Sequence, residues 1–211
     1  MQDNFSIPFI NANLRPAKGR GKFKGGKTYP RHALFATLAY LHPKKCLEIG
    51  TYYAYSARIT SLYFKWLEPD GLIVTCDIQR YVNITNKHIK QLIVKAHVPR
   101  KELKKWHDLD NRQNVKYSKN SVKENIEIIK KAAGKNFDFA YIDGDHTKTS
   151  FLNDLKIAKA LLKPPRYMLL DDTKDGLHEC KKAYEEIRHN YNHYDFEDWG
   201  VPASSSLIWE K

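Results

Sequence analysis

Two short apolar runs, each stopping at carboxylates and separated by a stretch of helical periodicity, constrain this chain more tightly than any other feature. Phe137, Phe139, Ala140, Tyr141 and Ile142 stop at Asp143, and Tyr167 to Leu170 stop at Asp171 and Asp172. Runs this short and this apolar suit strands buried on both faces of a parallel sheet. Between them Phe151, Leu152, Leu155, Ala158, Leu161 and Leu162 recur at helical spacing, so the unit reads as strand, crossover helix, strand. Ligands of such sheets bind outside the carboxyl ends of the strands, where Asp143, Asp145, His146, Asp171 and Asp172 would gather. That corner is the candidate active site. Asp145 reads as the cap of the helix after His146, with a further ligand role as the alternative.

The same alternation runs through the rest of the chain. Pro30 suits the first turn of a helix with Leu34, Phe35, Leu38 and Leu41 on its buried stripe, ending near Pro43. Cys46, Leu47 and Ile49 form a strand that ends at Gly50, residues 54–66 form a helix, and Leu72 to Cys76 form a strand closed by Asp77. Ile84, Ile89, Leu92, Ile93 and Ala96 suggest another helix, and Val115 to Tyr117 a strand. Ser121 with Glu124 has the capping-box spacing before a helix that stops at Gly134. Cys180 to Ile187 reads as a helix, and Tyr194 to Trp199 and Ser205 to Trp209 as two closing strands. The expectation is an α/β fold: a doubly wound, mostly parallel, seven-stranded sheet with helices on both faces. One domain over 29–211 would follow a basic, Gly-rich segment over 1–28.

Composition adds bounds. No run approaches the apolar length of a membrane helix, and the first residues lack a signal pattern, so export is not expected. Cys46, Cys76 and Cys180 are far apart and without metal spacing, which suits a reducing cytoplasm. The formal charge of +12 makes the surface attractive to anions. Lysines are spread along the helices, so a solvated basic surface is favoured over a dedicated nucleic-acid face. Lys18, Arg20, Lys22, Lys24 and Lys27, interleaved with glycines, suggest a loop able to close over an anionic ligand.

Gly21 to Thr28 (GKFKGGKT) also satisfies the phosphate-loop pattern, and Leu169 to Asp171 resembles the acid-tipped strand that accompanies it. That loop needs a buried strand to deliver it, and the polar, Pro16-containing residues before it offer none. The stretch Leu47 to Ala57 (LEIGTYYAYSA) is the better ligand-binding turn. A buried strand ends in an acid and a glycine and turns into a helix, leaving backbone N–H groups for a nucleoside. Only Gly50 of the three phosphate-loop glycines is present, which disfavours a pyrophosphate. Asp77, ending the next strand, either caps a turn or accepts hydrogen bonds from ribose hydroxyls.

At these residues the chain resembles the class I S-adenosylmethionine-dependent methyltransferases, with Glu48 to Ser56 similar to the first motif of the catechol type. Ala54 departs from that motif, standing where a second glycine is usual. Ile142-Asp143-Gly144-Asp145-His146 and Leu170-Asp171-Asp172 resemble the signature of metal-dependent sugar and macrolide O-methyltransferases and their cephalosporin-hydroxylase-like relatives. The resemblance covers most of the chain from about Tyr29 onward and is specific at Glu48 to Ser56, at Asp77 and at Tyr141 to Asp172. It implies a Rossmann-like methyltransferase fold, a cofactor site at Glu48, Gly50, Thr51, Tyr52, Tyr55, Ser56, Asp77, Asn120, Ser121 and Asp143, metal ligands Asp143, Asp171 and Asp172, and His146 as general base. Carboxylates without thiolates suit a hard cation such as Mg²⁺.

The function expected is S-adenosylmethionine-dependent, divalent-metal-assisted O-methylation of a small hydroxylated compound, a sugar or glycosylated metabolite. RNA methylation, a phosphate-loop triphosphatase and a non-catalytic cofactor-binding module are the alternatives. A homodimer is the oligomeric form considered.

Overall fold

The computed structural model describes residues 30–51, 56–57, 60, 63–64, 67–76, 122–174, 179–196 and 205–211. In chain order the elements are α1 (Pro30–Leu41), β1 (Lys45–Ile49), β2 (Leu72–Cys76), α2 (Val122–Ala133), β3 (Phe137–Ile142), α3 (Lys148–Leu161), β4 (Leu162–Leu170), α4 (Glu179–Ile187), β5 (Asn192–Asp195) and β6 (Ser206–Trp209). Residues 56–57, 60, 63–64 and 67 are helical, as expected for that stretch. The strands form one six-stranded sheet in the order β2-β1-β3-β4-β6-β5. The first four run parallel, and β6 is antiparallel to both neighbours.

Alternation along the strands divides the apolar residues between two cores, because successive side chains point to opposite faces. Leu47, Ile49, Val74, Phe137, Ala140, Ile142, Met168 and Leu170 pack with Ile129 of α2, with Phe151, Leu155 and Ala158 of α3, and with Ala183 and Tyr184 of α4. Cys46, Ile73, Phe139, Tyr141, Leu169 and Leu207 pack on the other face against Ala33, Leu34 and Leu38 of α1 and against Ala57, Tyr63 and Phe64. Helices cover both faces, so the sheet is doubly wound. Among the described residues no helix is long and apolar enough to cross a membrane, and Cys46, Cys76 and Cys180 are buried and not joined in a disulfide.

Several boundaries differ from expectation. The described sheet has six strands rather than seven; the strand expected at Val115 to Tyr117 lies outside the described residues, as does the helix expected around Ile84 to Ala96. β4 begins at Leu162 rather than Tyr167, because Leu162 pairs with Phe137 before the register shifts at Phe139. β5 starts at Asn192, ahead of the expected Tyr194, because Asn192 pairs with Trp209. Gly134 adopts φ +75 directly after α2 and its N–H donates to the Lys130 carbonyl, the left-handed stop expected there.

Candidate active site

Each central strand extends its hydrogen bonding one residue past its end. The Gly50 N–H donates to Cys76 O at 2.7 Å, Asp143 N–H to Ile49 O at 2.8 Å, and Asp171 N–H to Ile142 O at 2.9 Å. The sequence-predicted residues Gly50, Asp143 and Asp171 therefore stand side by side at the carboxyl ends of β1, β3 and β4. Gly50 has φ +99, and a Cβ on it would strike the backbone carbonyl of Asp143. Close approach of the neighbouring strand tip, as well as turn geometry, demands glycine here.

One step inside the tips, Thr75, Glu48 and Tyr141 occupy one register row across β2, β1 and β3 on the α1 side of the sheet. Glu48 is only 1% exposed. A carboxylate so placed requires donors, since an uncompensated buried charge costs several kcal/mol. The Thr75 hydroxyl donates to Glu48 Oε2. With that proton committed, the 2.5 Å contact between the Thr51 and Thr75 hydroxyls has Thr51 as donor. A buried chain from Thr51 through Thr75 to Glu48 thus ties the turn after β1 to the strand beside it.

On the other side of the tips, Asp143, His146 and Asp172 bring one ligand atom each to within 4.8 Å of one another. His146 Nδ1 lies 3.2 Å from Asp172 Oδ2, and Nε2 lies 3.8 Å from Asp143 Oδ1. β4 ends at Leu170, and Asp172 takes φ +54. An uninterrupted strand would send Asp171 and Asp172 to opposite faces; the left-handed residue turns the second carboxylate back toward β3. Asp171 occupies a different position. Its Oδ2 accepts from the Tyr141 hydroxyl at 2.9 Å and its Oδ1 from the Ser205 hydroxyl at 2.7 Å.

The loop after β4 is anchored to the hairpin of β5 and β6. Thr173 and Ser206 share a hydroxyl hydrogen bond of 2.7 Å, and Lys174 pairs with Asp195 at 2.9 Å. Asp195 also accepts from Tyr184 of α4 at 2.6 Å. On the β3 side, α3 is capped by Thr147, whose hydroxyl oxygen accepts from the Ser150 N–H at 3.3 Å. This corrects the expectation that Asp145 is the cap. Asp145 Oδ2 instead accepts from the hydroxyls of Thr147 and Ser150, bracing the first turn from outside. Gly144 is pressed against α3, where a Cβ would stand 2.5 Å from Asp154 Oδ2.

The field at the tips is negative. Burial first, then the charges of Asp171, Asp172 and Glu48, push the Asp143 carboxyl well above the usual carboxylate range, against the Tyr141 hydroxyl bond that favours ionisation. Burial and then the Asp143 and Asp171 charges raise the Tyr141 phenol in the same way. The Cys180 thiol, under burial and then the influence of Asp172 and Asp143, is pushed up to about 12. Carboxylates that resist joint ionisation are what a bound cation relieves. Carboxylates with no thiolate beside them form a donor set that fits a hard divalent ion such as Mg²⁺ or Mn²⁺.

Of the residues expected to bind cofactor, Glu48, Gly50, Thr51 and Asp143 meet at the strand tips, and Ser56 is buried at the start of the described helical residues, its carbonyl accepting from Thr60 at 3.1 Å. Tyr52, Tyr55, Asp77, Asn120 and Ser121 lie outside the described residues, as do Ala54 and the Gly21 to Thr28 loop. Thr75, Tyr141 and Ser205 were not anticipated. Tyr141 reads as one apolar member of a strand, and Thr75 and Ser205 acquire meaning only once strand pairing is known.

Several solved structures similar in fold are O-methyltransferases. The O-methyltransferase TomG from Streptomyces achromogenes, involved in tomaymycin synthesis and solved with SAM, matches with TM-score 0.55 at 15% identity, covering 86% of this chain and 79% of that one. An O-methyltransferase from Bacillus cereus in complex with SAH matches with TM-score 0.55 at 16% identity, covering 97% and 88%. CalS11, a TDP-rhamnose 3'-O-methyltransferase of calicheamicin biosynthesis, matches with TM-score 0.57 at 14% identity, covering 84% and 79%. At such identities the likeness is one of fold, and it agrees with the doubly wound sheet. No curated protein sequence matches this chain. The family model described as "Methyltransferase domain" matches residues 47–173, from the strand that carries Glu48 to the loop that carries Asp172. With more than half its length matched, and with the strand-tip carboxylates inside the matched span, the chain belongs to this methyltransferase domain family (Methyltransf_24).

Proposed function

We propose that this protein is an S-adenosylmethionine-dependent, divalent-cation-assisted O-methyltransferase acting on a hydroxyl of a small molecule, a sugar or a glycosylated metabolite. The observation that carries the reading is the convergence of Asp143, His146 and Asp172 at the strand tips beside Gly50. Family membership supports methyl transfer, and the bound SAM and SAH of the fold relatives support the donor. The rhamnose substrate named for CalS11 supports a sugar acceptor.

Asp143 and Asp172 hold the cation in this reading, and Glu48 with the Thr51–Thr75 chain shapes the turn against which the nucleoside lies. A bound divalent ion supplies Lewis-acid stabilisation of negative charge on the acceptor oxygen, and S-adenosylmethionine supplies the electrophilic methyl. Asp172 orients His146 by accepting from Nδ1–H, which leaves the Nε2 lone pair to take the acceptor hydroxyl proton. Methyl transfer from labelled S-adenosylmethionine to a panel of nucleotide sugars and glycosides, with and without chelator, tests the reading. Cation-dependent incorporation is expected, and incorporation that survives chelation refutes the role of the cation. Labelling of RNA instead of the panel refutes the choice of acceptor.

A further inference from the structure

Lys174 is the lysine nearest in sequence to the strand-tip acids, two residues after Asp172. Consecutive Cα atoms are about 3.8 Å apart, so the Lys174 Cα lies within about 7.6 Å of that of Asp172. A flexible four-carbon stem carries the ammonium, and from the reversal at Asp172, with φ +54, that stem can lie on either side. Toward the tips it would meet Asp143, Asp171 and Asp172, whose charges oppose one another. The side chain goes the other way. Its Nζ stands 2.9 Å from Asp195 Oδ2 and 5.8 Å from the ring centre of Tyr184, and only 15% of the side chain is exposed.

Several donors converge on Asp195. Leu170, Ser206 and Asp195 occupy one register row across β4, β6 and β5, on the face where Leu170 packs with Tyr184 of α4. The Tyr184 hydroxyl donates to Asp195 Oδ1 at 2.6 Å, the Ser206 hydroxyl donates to the same carboxylate, and Arg188 stands 3.8 Å away. With the Ser206 proton committed there, Thr173 is the donor in its 2.7 Å contact with Ser206. Burial alone would raise the Asp195 carboxyl, but Tyr184, Ser206 and Lys174 outweigh burial and hold it below the usual range. A fixed anion beside the loop thus gives the ammonium a strong partner outside the strand tips.

We propose that Asp195 is a positioning residue that holds the Lys174 ammonium away from the strand-tip carboxylates, so that a divalent ion and not the protein's own lysine neutralises them. This role rests on the divalent-cation reading given above. An ammonium and a divalent ion compete for the same negative charge, and a tethered competitor acts at high effective concentration.

The test uses Mn²⁺ as the probe on the full chain, with free ion titrated by electron paramagnetic resonance well below the unfolding midpoint of each variant. Asp195→Asn removes the charge and leaves one acceptor oxygen where the carboxylate offers two. It is expected to weaken Mn²⁺ binding about tenfold, a size usual for groups behind the ligands of a metal site. Lys174→Met, which removes the ammonium, is expected to bind Mn²⁺ at least as tightly as the parent protein. Asp195→Asn combined with Lys174→Met is expected to regain the affinity of Lys174→Met alone. That recovery separates a lysine held aside from a simple brace, because a brace broken at either end weakens binding in all three variants. Unaltered affinity in Asp195→Asn, about tenfold loss in Lys174→Met, or no recovery in the double variant overturns this role. Should Asp195→Asn fail to fold, Lys174→Met decides: affinity at or above that of the parent supports the role, and loss overturns it. Absence of Mn²⁺ uptake by the unmodified protein overturns the cation reading itself, and this role with it.

Discussion

A Cβ placed on Gly50 would stand 1.8 Å from the backbone carbonyl oxygen of Asp143. The turn leaving β1 and the acid ending β3 are therefore in backbone contact, and whatever displaces one displaces the other. The candidate cofactor turn and the candidate cation site share a wall made of peptide groups, which cannot change rotamer to make room.

Gly50→Ala is accordingly expected to damage both functions at once. The positive φ costs about 1–2 kcal/mol for a residue with a Cβ, and the clash must be relieved by moving the β3 tip. Thermal unfolding should show a loss of at least that size, and calorimetry should show weakened S-adenosylhomocysteine and Mn²⁺ binding together. Loss of one affinity with the other intact would contradict the shared wall.

Thr75→Val replaces the hydroxyl between Thr51 and Glu48 by a methyl of similar volume. Removing a donor from a buried carboxylate costs about 1–3 kcal/mol. The expected readouts are a lower midpoint of unfolding and roughly tenfold weaker S-adenosylhomocysteine binding, taking about 1.4 kcal/mol as a factor of ten. Thr75→Ser, which keeps the donor, should stay near the parent protein.

Cation binding should stabilise the protein increasingly as pH rises. The Asp143 carboxyl is held above its ordinary range, so the folded protein retains a proton that the unfolded chain releases. That contribution to stability is full below the unfolded carboxyl pKa of about 3.9 and is lost as pH rises through the folded value. A divalent ion competes with the proton and replaces its effect. At about 100 times the dissociation constant the gain is near 2.7 kcal/mol. Melting curves with and without Mg²⁺ should diverge more at pH 8 than at pH 5, and a pH-independent increment would count against the site.

At the opposite end of the sheet, Asp138 should confer acid sensitivity of the reverse sign. Burial alone would raise its carboxyl, but the Lys163 ammonium and the N–H groups of Lys44 and Lys45 outweigh burial and hold it below the usual range. Its contribution is present above the unfolded pKa and is lost as pH falls through the folded one. Asp138→Asn should lower stability by about 2 kcal/mol near neutrality, from weakened charge-assisted hydrogen bonds, and should flatten the decline in stability as pH falls below the unfolded carboxyl pKa of about 3.9. A parallel decline in both proteins would show that Asp138 does not carry it.

What could be seen in the sequence was whatever depends on neighbours along the chain. The strand ending at Ile142, the crossover helix and the acids at positions 143, 171 and 172 follow from period and punctuation, and all lie where expected. Partners that depend on pairing were not visible. Ser205 meets Asp171 across 34 positions of sequence, and Thr75 meets Glu48 across 27. Tyr141 lies in the buried strand as expected, but the bonds of its hydroxyl were hidden for a related reason, since they depend on which strands lie beside it. Asp145 was given the cap because it precedes the helix, whereas the backbone enters its helical turn only after Thr147.

The left-handed backbone at Asp172 narrows the evolutionary vocabulary of that position. Few residues other than glycine visit this region readily, and aspartate and asparagine are the foremost among them. Glycine would lose the oxygen donor, and glutamate would keep the charge while resisting the conformation. Drift within the family at this position should therefore run between the acid and its amide, so that the charge of the site can be tuned by one unit while its shape stays the same.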